Sequence, residues 1–319
     1  MPSDRPLRIG TRASKLARWQ SDWVAAELTR LGAQVEIVEI TTRGDVEQLG
    51  PVAGIGVQGV FTKEIQAAVL AGEVDIAVHS LKDLPTEQVS GLVLAATPPR
   101  ENVADALVTN AASSLGELPA GARIGTGSLR RRAQVLHLRP DLHVAGIRGN
   151  VDTRLRKLDA GEFDAIILAA AGLTRLGWAS RIAEYLEPPR MLPAPGQGSL
   201  ALECRGDDLA TQAIVGQLND PDTRIGIVAE RTILAALHGG CSAPIAAWGR
   251  VDGELLRVDG LVASLDGREV LRASTLLELS AATSSNAAGL AAAELAGHDV
   301  AATLRSLGAE AIILAARQG

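Results

Sequence analysis

A chain of 319 residues has room for two or three domains at roughly 150 residues each, every one with its own core. Hydrophobic residues make up 47% and charged residues 21%, while aromatics, at 2%, leave the core to Leu, Val, Ile and Ala and supply no stacking platform for single-stranded nucleic acid. The net charge of -6 speaks against duplex binding as well, because phosphate contacts need a basic surface.

The N-terminus, Met-Pro-Ser-Asp-Arg-Pro, carries no apolar signal segment, and no apolar run approaches the ~18 residues of a membrane span. Two cysteines, Cys204 and Cys241, suit a reducing compartment. A soluble cytoplasmic protein with neither membrane nor nucleic-acid partners is the expectation.

In chain order, Leu7–Gly10 reads as a strand, followed by a helix with Leu16, Trp19, Trp23, Leu28 and Leu31 at helical intervals and Gly32 as its stop. Val35–Thr41 is the next strand, Thr62–Ala71 a helix, and Val74–Val78 a buried strand leading into His79-Ser80-Leu81-Lys82-Asp83. Such alternation is the pattern of parallel α/β sheets. Proline-rich points at Thr97-Pro98-Pro99-Arg100 and from Pro188 to Gly196 read as crossings between domains. Between them, strands are expected at 122–125, 143–147 and 165–169, and Leu200–Cys204 returns to the first unit. Two crossings make two hinged α/β lobes, as in two-lobed solute-binding proteins. From about Asp222 a helix (225–237), strands near 245–276 and an Ala-rich C-terminal helix form a smaller α+β domain. The expected division is 1–99 with 196–218, then 100–195, then 222–319. No internal repeat is visible in the sequence.

Basic residues concentrate in the second lobe, at Arg130, Arg131, Arg132, Arg148, Arg154, Arg156, Lys157 and Arg175. Gly125-Thr126-Gly127-Ser128 follows a strand and opens a helix, so its N–H groups suit an anion, and Arg148-Gly149-Asn150 repeats the layout. Arg12 and Ser14 also stand between a strand and a helix. Ligands of open α/β sheets bind beyond the carboxyl ends of strands. Solvated helix faces explain any one arginine; the repeated placement points to a polyanionic ligand, since guanidinium groups match carboxylates and phosphates bidentately. Asp83 ends a strand at the same edge, with Pro85 stopping it. An aspartate there is commonly a turn former, but an arginine-rich lobe opposite turns the reading toward catalysis.

Cys241 lies in His238-Gly239-Gly240-Cys241-Ser242, a loop suited to projecting a thiol, whereas Cys204 reads as an inert strand cysteine. No ligand spacing supports a metal site. The string Gly54-Ile55-Gly56-Val57-Gln58-Gly59 matches a dinucleotide fingerprint but does not directly follow a strand, and it reads as a lid. No G-x-S-x-G or H-E-x-x-H motif is present.

Taken together, the chain resembles the porphobilinogen deaminase (hydroxymethylbilane synthase) family. The strings that carry the resemblance include Arg8-Ile9-Gly10-Thr11-Arg12-Ala13-Ser14, Thr42-Arg43-Gly44-Asp45, His79-Ser80-Leu81-Lys82-Asp83-Leu84-Pro85 and Gly125-Thr126-Gly127-Ser128-Leu129-Arg130-Arg131. Further matches are Arg148-Gly149-Asn150-Val151-Asp152-Thr153-Arg154, Ala171-Gly172-Leu173-Thr174-Arg175, Pro195-Gly196-Gln197-Gly198 and Gly239-Gly240-Cys241, in the family's order over nearly the whole chain. The resemblance implies a monomeric transferase that condenses four porphobilinogen molecules, with loss of ammonia, into a linear tetrapyrrole. It also implies a dipyrromethane cofactor on a thioether to Cys241 and Asp83 as the catalytic carboxylate. Lys82, Ser128, Arg130, Arg131 and Arg154 would hold the cofactor, and Arg12, Ser14, Arg148 and Arg175 the substrate. Many relatives carry lysines where Gly54 and Gln58 stand, so no lysine role is carried over to the lid. Two other readings remain at this point: a non-catalytic two-lobed polycarboxylate-binding protein, and a cysteine-nucleophile transferase built on Cys241 and His238.

Overall fold

A computed structural model describes residues 5–41, 62–238, 243–279 and 287–318. The chain divides into two compact units, residues 1–101 with 199–224, and residues 102–198 with 225–319. The lid reading at 54–59 and the Cys241 loop lie outside the described residues.

In the first unit, β1 (Leu7–Thr11), β2 (Val35–Glu39) and β3 (Ile76–Ser80) run parallel, with Ile9 opposite both Ile37 and Ile76. Two further strands, β4 (Leu92–Ala96) and β10 (Leu200–Arg205), complete the order β2-β1-β3-β10-β4. β10 is antiparallel to both its neighbours, so the sheet is mixed rather than parallel. The reason is the route of the chain: β10 arrives from a crossing, not from a helix that returns to the same edge. The strand expected at Val74–Val78 runs two residues later, because Val74 packs with Ile65 and Val69 while Asp75 is held by arginines.

The helix α1 (Lys15–Arg30) is capped by Ser14, whose hydroxyl accepts from the Ala17 N–H at 3.3 Å. It ends at Gly32, where φ is +90° and an L side chain would be strained. Val24 and Leu28 of α1 join Ile9, Ile76 and Leu202 in one core, and α2 (Lys63–Leu70) closes the other face with Ile65 and Val69 against Val74 and Leu92.

The second unit begins with a sheet of the same plan. Here β6 (Arg123–Gly125), β7 (His143–Ala145) and β8 (Ala165–Ala169) are parallel, and β5 (Asp105–Thr109) is antiparallel to β8 and to β9 (Glu184–Leu186). The order β7-β6-β8-β5-β9 matches the first sheet strand for strand, with β5 in the place of β10. Helices α3 (Leu129–Leu138), α4 (Val151–Asp159) and α5 (Ala170–Arg175) follow β6, the segment after β7, and β8.

Within the same unit, a smaller C-terminal domain is an antiparallel meander of β11 (Ile245–Asp252), β12 (Leu255–Ala263) and β13 (Val270–Glu278) with helices packed on it. Numbered after α6 (Leu209–Val215) of the first unit, these are α7 (Pro221–Ala236), α8 (Ala287–Ser306) and α9 (Ala309–Gln318). The single C-terminal helix expected from composition is therefore two, broken at Gly308, where φ is +100°. Helix α7 lies directly on strand backbone: a Cβ at Gly226 would stand 2.5 Å from the Gly249 carbonyl oxygen. Ala133 and Leu192 share a buried cluster with Ala246, Leu261 and Ala263, which joins the C-terminal domain to the preceding sheet domain.

Asp75 anchors the amino end of the first sheet. Its buried carboxylate takes two bonds from Arg5 at 2.9 Å, two from the Arg8 guanidinium at 3.1 and 3.2 Å, and the Arg8 backbone N–H at 2.9 Å. Burial alone pushes this carboxyl up, but the bonds from Arg5 and Arg8 outweigh it and hold it at about 2, against 3.8 normally. A depressed folded value stabilises the protein above the unfolded pKa, and the contribution fades as pH falls from about 4 to about 2. Asp75→Asn should cost about 1–3 kcal/mol at neutral pH and flatten the acid limb of stability in that window, as read by denaturant titration across pH.

Candidate functional site

The first unit presents its chemistry beyond the carboxyl ends of β1 and β3. Directly after β3, residues Leu81–Asp83 form a single 3-10 turn. Leu81 and Leu84 are both buried, and three residues apart in such a turn they share one side. Asp83 therefore faces solvent, with half-buried Lys82 beside it. Leu84 is extended, as a residue before proline should be, and stops the turn.

The base of that turn is fixed from three directions. Buried Gln20 on α1 donates to the Ser80 hydroxyl at 2.8 Å, and the Leu81 N–H donates to the Ser199 carbonyl at 3.0 Å. Beneath them His79 lies 3.1 Å from Glu203, which also accepts from Gln66 at 2.8 Å. Arg12, half-buried, leaves β1 at the same end of the sheet, and Ser14 serves as the α1 cap.

The second unit gathers the arginines beyond β6, β7 and β8. Ser128 caps α3, accepting from the Arg131 N–H at 3.4 Å. Arg130 and Arg131, the second and third residues of that helix, are not solvated: they are 3% and 6% exposed. Both close on Asp105, which is wholly buried at the start of β5. Arg130 reaches it through Nη1 at 2.6 Å and Nη2 at 3.2 Å, and Arg131 through Nε at 2.9 Å and Nη2 at 2.8 Å. Burial pushes the Asp105 carboxyl up, but the two guanidinium groups overcome this and hold it far below the usual carboxylate range. Gln197 completes the cluster, donating to Asp105 at 3.0 Å and accepting from Arg131 at 3.4 Å. The Nε–H of Arg130 is buried with no hydrogen-bond partner among the described residues.

The other arginines brace loops at this edge. Arg154 on α4 donates from Nε to the Gly149 carbonyl at 2.8 Å, Arg175 from Nη2 to the Gly198 carbonyl at 2.7 Å, and Arg148 is exposed before α4. Gly149 has φ +104°, and a Cβ there would stand 2.6 Å from Thr153, so the turn between Arg148 and α4 requires glycine. Each unit thus collects its own candidates at one sheet edge: Arg12, Ser14, Lys82 and Asp83 in the first, Ser128, Arg130, Arg131, Arg148, Arg154 and Arg175 in the second.

Sequence reasoning missed Asp105 and passed over Gln197 as a site residue. A visible signal existed for the first: a lone aspartate opening the apolar run Asp105-Ala106-Leu107-Val108 needs a partner if that run is a buried strand. Among the described residues no group of three His, Cys, Asp or Glu stands close enough to hold a metal, and no helix is long and apolar enough to cross a membrane.

Residues 7–213 match the family described as porphobilinogen deaminase, dipyromethane cofactor binding domain, and residues 225–305 match porphobilinogen deaminase, C-terminal domain. A porphobilinogen deaminase of Syntrophotalea carbinolica is 48% identical over 315 residues, covering 98% of this chain and 96% of that protein. One of Geobacter sulfurreducens is 50% identical over 270 residues, covering 84% of this chain and 85% of the relative. Among solved structures, a putative methionine-binding lipoprotein of Bacillus subtilis aligns with TM-score 0.42 at 11% identity, over 67% of this chain and 89% of the other.

Cys204 is completely buried on β10, and burial raises its thiol from 9.0 to about 11. That shift lowers the thiolate fraction about a hundredfold, before any steric protection. Iodoacetamide should leave Cys204 unmodified in the folded protein and label it readily in concentrated guanidinium, with peptide mass mapping as the readout.

Proposed function

This chain belongs to the porphobilinogen deaminase family, and from that premise we propose which of its residues carry the reaction. It is a transferase that condenses four porphobilinogen molecules head to tail, releasing ammonia, to give the linear tetrapyrrole hydroxymethylbilane of tetrapyrrole biosynthesis. Membership in an enzyme family sets aside a non-catalytic polycarboxylate-binding protein. The dipyrromethane cofactor supplies, when bound, the anchored pyrrole chain that is extended.

Asp83 is the catalytic carboxylate, and the observation that carries this reading is its exposed position on a turn pinned by buried Leu81 and Leu84. Ammonia loss from porphobilinogen leaves an electron-poor methylene-pyrrole cation. A fixed carboxylate stabilises that cation without reorganising during the step. The same group accepts hydrogen bonds from pyrrole N–H and takes the proton lost from the attacked ring carbon.

The donor set of the second unit suits a carboxylate-rich pyrrole chain. Two buried guanidinium groups share the Asp105 carboxylate, the α3 N-terminus adds positive potential, and the Arg130 Nε–H is buried with no hydrogen-bond partner among the described residues. Arg130, Arg131, Ser128, Arg154 and Lys82 hold the cofactor in this reading, and Arg12, Ser14, Arg148 and Arg175 the incoming substrate. Cys241 forms the thioether, a role supported by the glycine-flanked sequence and the family match. Three domains divided at 1–99 with 196–218, 100–195 and 222–319, a monomeric state, a cytoplasmic site and no nucleic-acid partner complete the proposal, in keeping with the net charge of -6.

Two experiments test it. Purified protein should weigh more than its sequence by two linked, deaminated pyrrole units; Cys241→Ala should lack the increment and Cys204→Ala should keep it. An unmodified mass for active protein removes the thioether. Asp83→Asn, assayed by single turnover on cofactor-loaded protein, should lose on the order of a hundred- to a thousandfold in rate while keeping its fold, and Asp83→Glu should retain more. Turnover by Asp83→Asn within a few-fold of wild type would reduce Asp83 to a turn residue.

A further inference from the structure

We propose that Asp105, with Gln197, positions Arg130 and Arg131 for the cofactor; the inference rests on the reading that those arginines hold cofactor carboxylates. Asp105 holds the two guanidinium groups by different edges. It takes Arg130 by the pair of terminal nitrogens and Arg131 by the side edge of Nε and Nη2. The remaining contacts lock the orientation, since Arg130 Nη1 also donates to the Leu192 carbonyl at 2.7 Å and Arg131 Nη1 to the Ile167 carbonyl at 3.2 Å.

Gln197 reads both partners at once. Its amide oxygen faces Arg131, and its amide nitrogen donates to Asp105 and, at 2.8 Å, to the Val103 carbonyl. Reversing the amide would set oxygen against carboxylate and nitrogen against guanidinium, so the cluster admits one arrangement. It fixes both arginines on folding, and the ordering of two long side chains is not left to the binding step.

A purely structural role fits less well. Buried ion pairs are weak sources of stability beside apolar side chains of similar volume, and here two guanidinium groups are held on the Asp105 carboxylate. The arrangement makes sense as preparation for binding. The Nε–H of Arg130, buried with no hydrogen-bond partner among the described residues, marks an edge of the pair open to a ligand acceptor.

The test follows loading of the apoprotein with porphobilinogen by intact mass, expressed per folded molecule, with the thermal midpoint of each apoprotein read alongside. Asp105→Asn keeps the shape and removes the charge; its folded fraction should acquire the two-pyrrole increment at least tenfold more slowly than wild type. An ion pair that merely stabilises the fold would lower the midpoint and leave loading per folded molecule unchanged, which overturns the proposal. Arg130→Leu and Arg131→Leu separate the two layers. Normal loading of both removes the underlying reading; failed loading of both beside normal loading of Asp105→Asn removes only the positioning role. Should Asp105→Asn not fold, Gln197→Met decides, since it deletes one donor and one acceptor of the cluster without changing charge. Loading several-fold slower supports the inference, and loading at the wild-type rate ends it.

Discussion

Two guanidinium groups cannot be buried side by side without an anion, and Asp105 supplies it at the first residue of β5. Much of the second unit is arranged around that requirement. The Ser128 cap sets where α3 begins and hence where Arg130 and Arg131 stand. Gln197 brings the crossing loop to the cluster, and its neighbour Gly196 donates its N–H to buried Glu230 at 2.6 Å. The other Glu230 oxygen accepts from Gly249 of β11 at 2.8 Å. A continuous path of carboxylate and amide contacts therefore runs from the arginine pair through the crossing loop to the C-terminal sheet.

The parts legible in the sequence were those governed by local rules. Periodicity located α1, α2 and the strand at 165–169, and the glycine turns marked where basic residues would collect. Asp83 was visible because an apolar strand, a turn and a proline follow each other within ten residues. What escaped depended on distance along the chain. Asp105 meets Arg130 and Arg131 across 25 and 26 residues and Gln197 across 92, and no window of sequence holds all four. The burial of the arginines escaped for the same reason, since a helix start looks solvated until the strand opposite is known. β4, β5 and β9 were also missed, being short strands beside prolines or reached from a crossing.

The repeated plan of the two sheets went unseen because it is written in backbone rather than side chains. Both have three parallel strands in the order middle-first, flanked by an antiparallel strand that comes from a crossing. Each opens its first helix with a serine cap, Ser14 in one and Ser128 in the other. The loops beyond those strands then diverge in chemistry, giving exposed Asp83 beside Lys82 and Arg12 in one unit and a set of arginines in the other. One scaffold thus serves two electrostatic tasks.

The interior place of β10 bears on how the protein is made. β10 lies between β3 and β4, so the first sheet lacks an interior strand until residues 200–205 exist. A ribosome releases the entire 102–198 segment before it releases that strand. The N-terminal region consequently leaves the tunnel first yet cannot complete its sheet until the whole inserted segment has emerged, a departure from simple N-to-C completion. For that interval the edges of β3 and β4 that will receive β10 are unpaired, the state in which strands pair with the wrong chain.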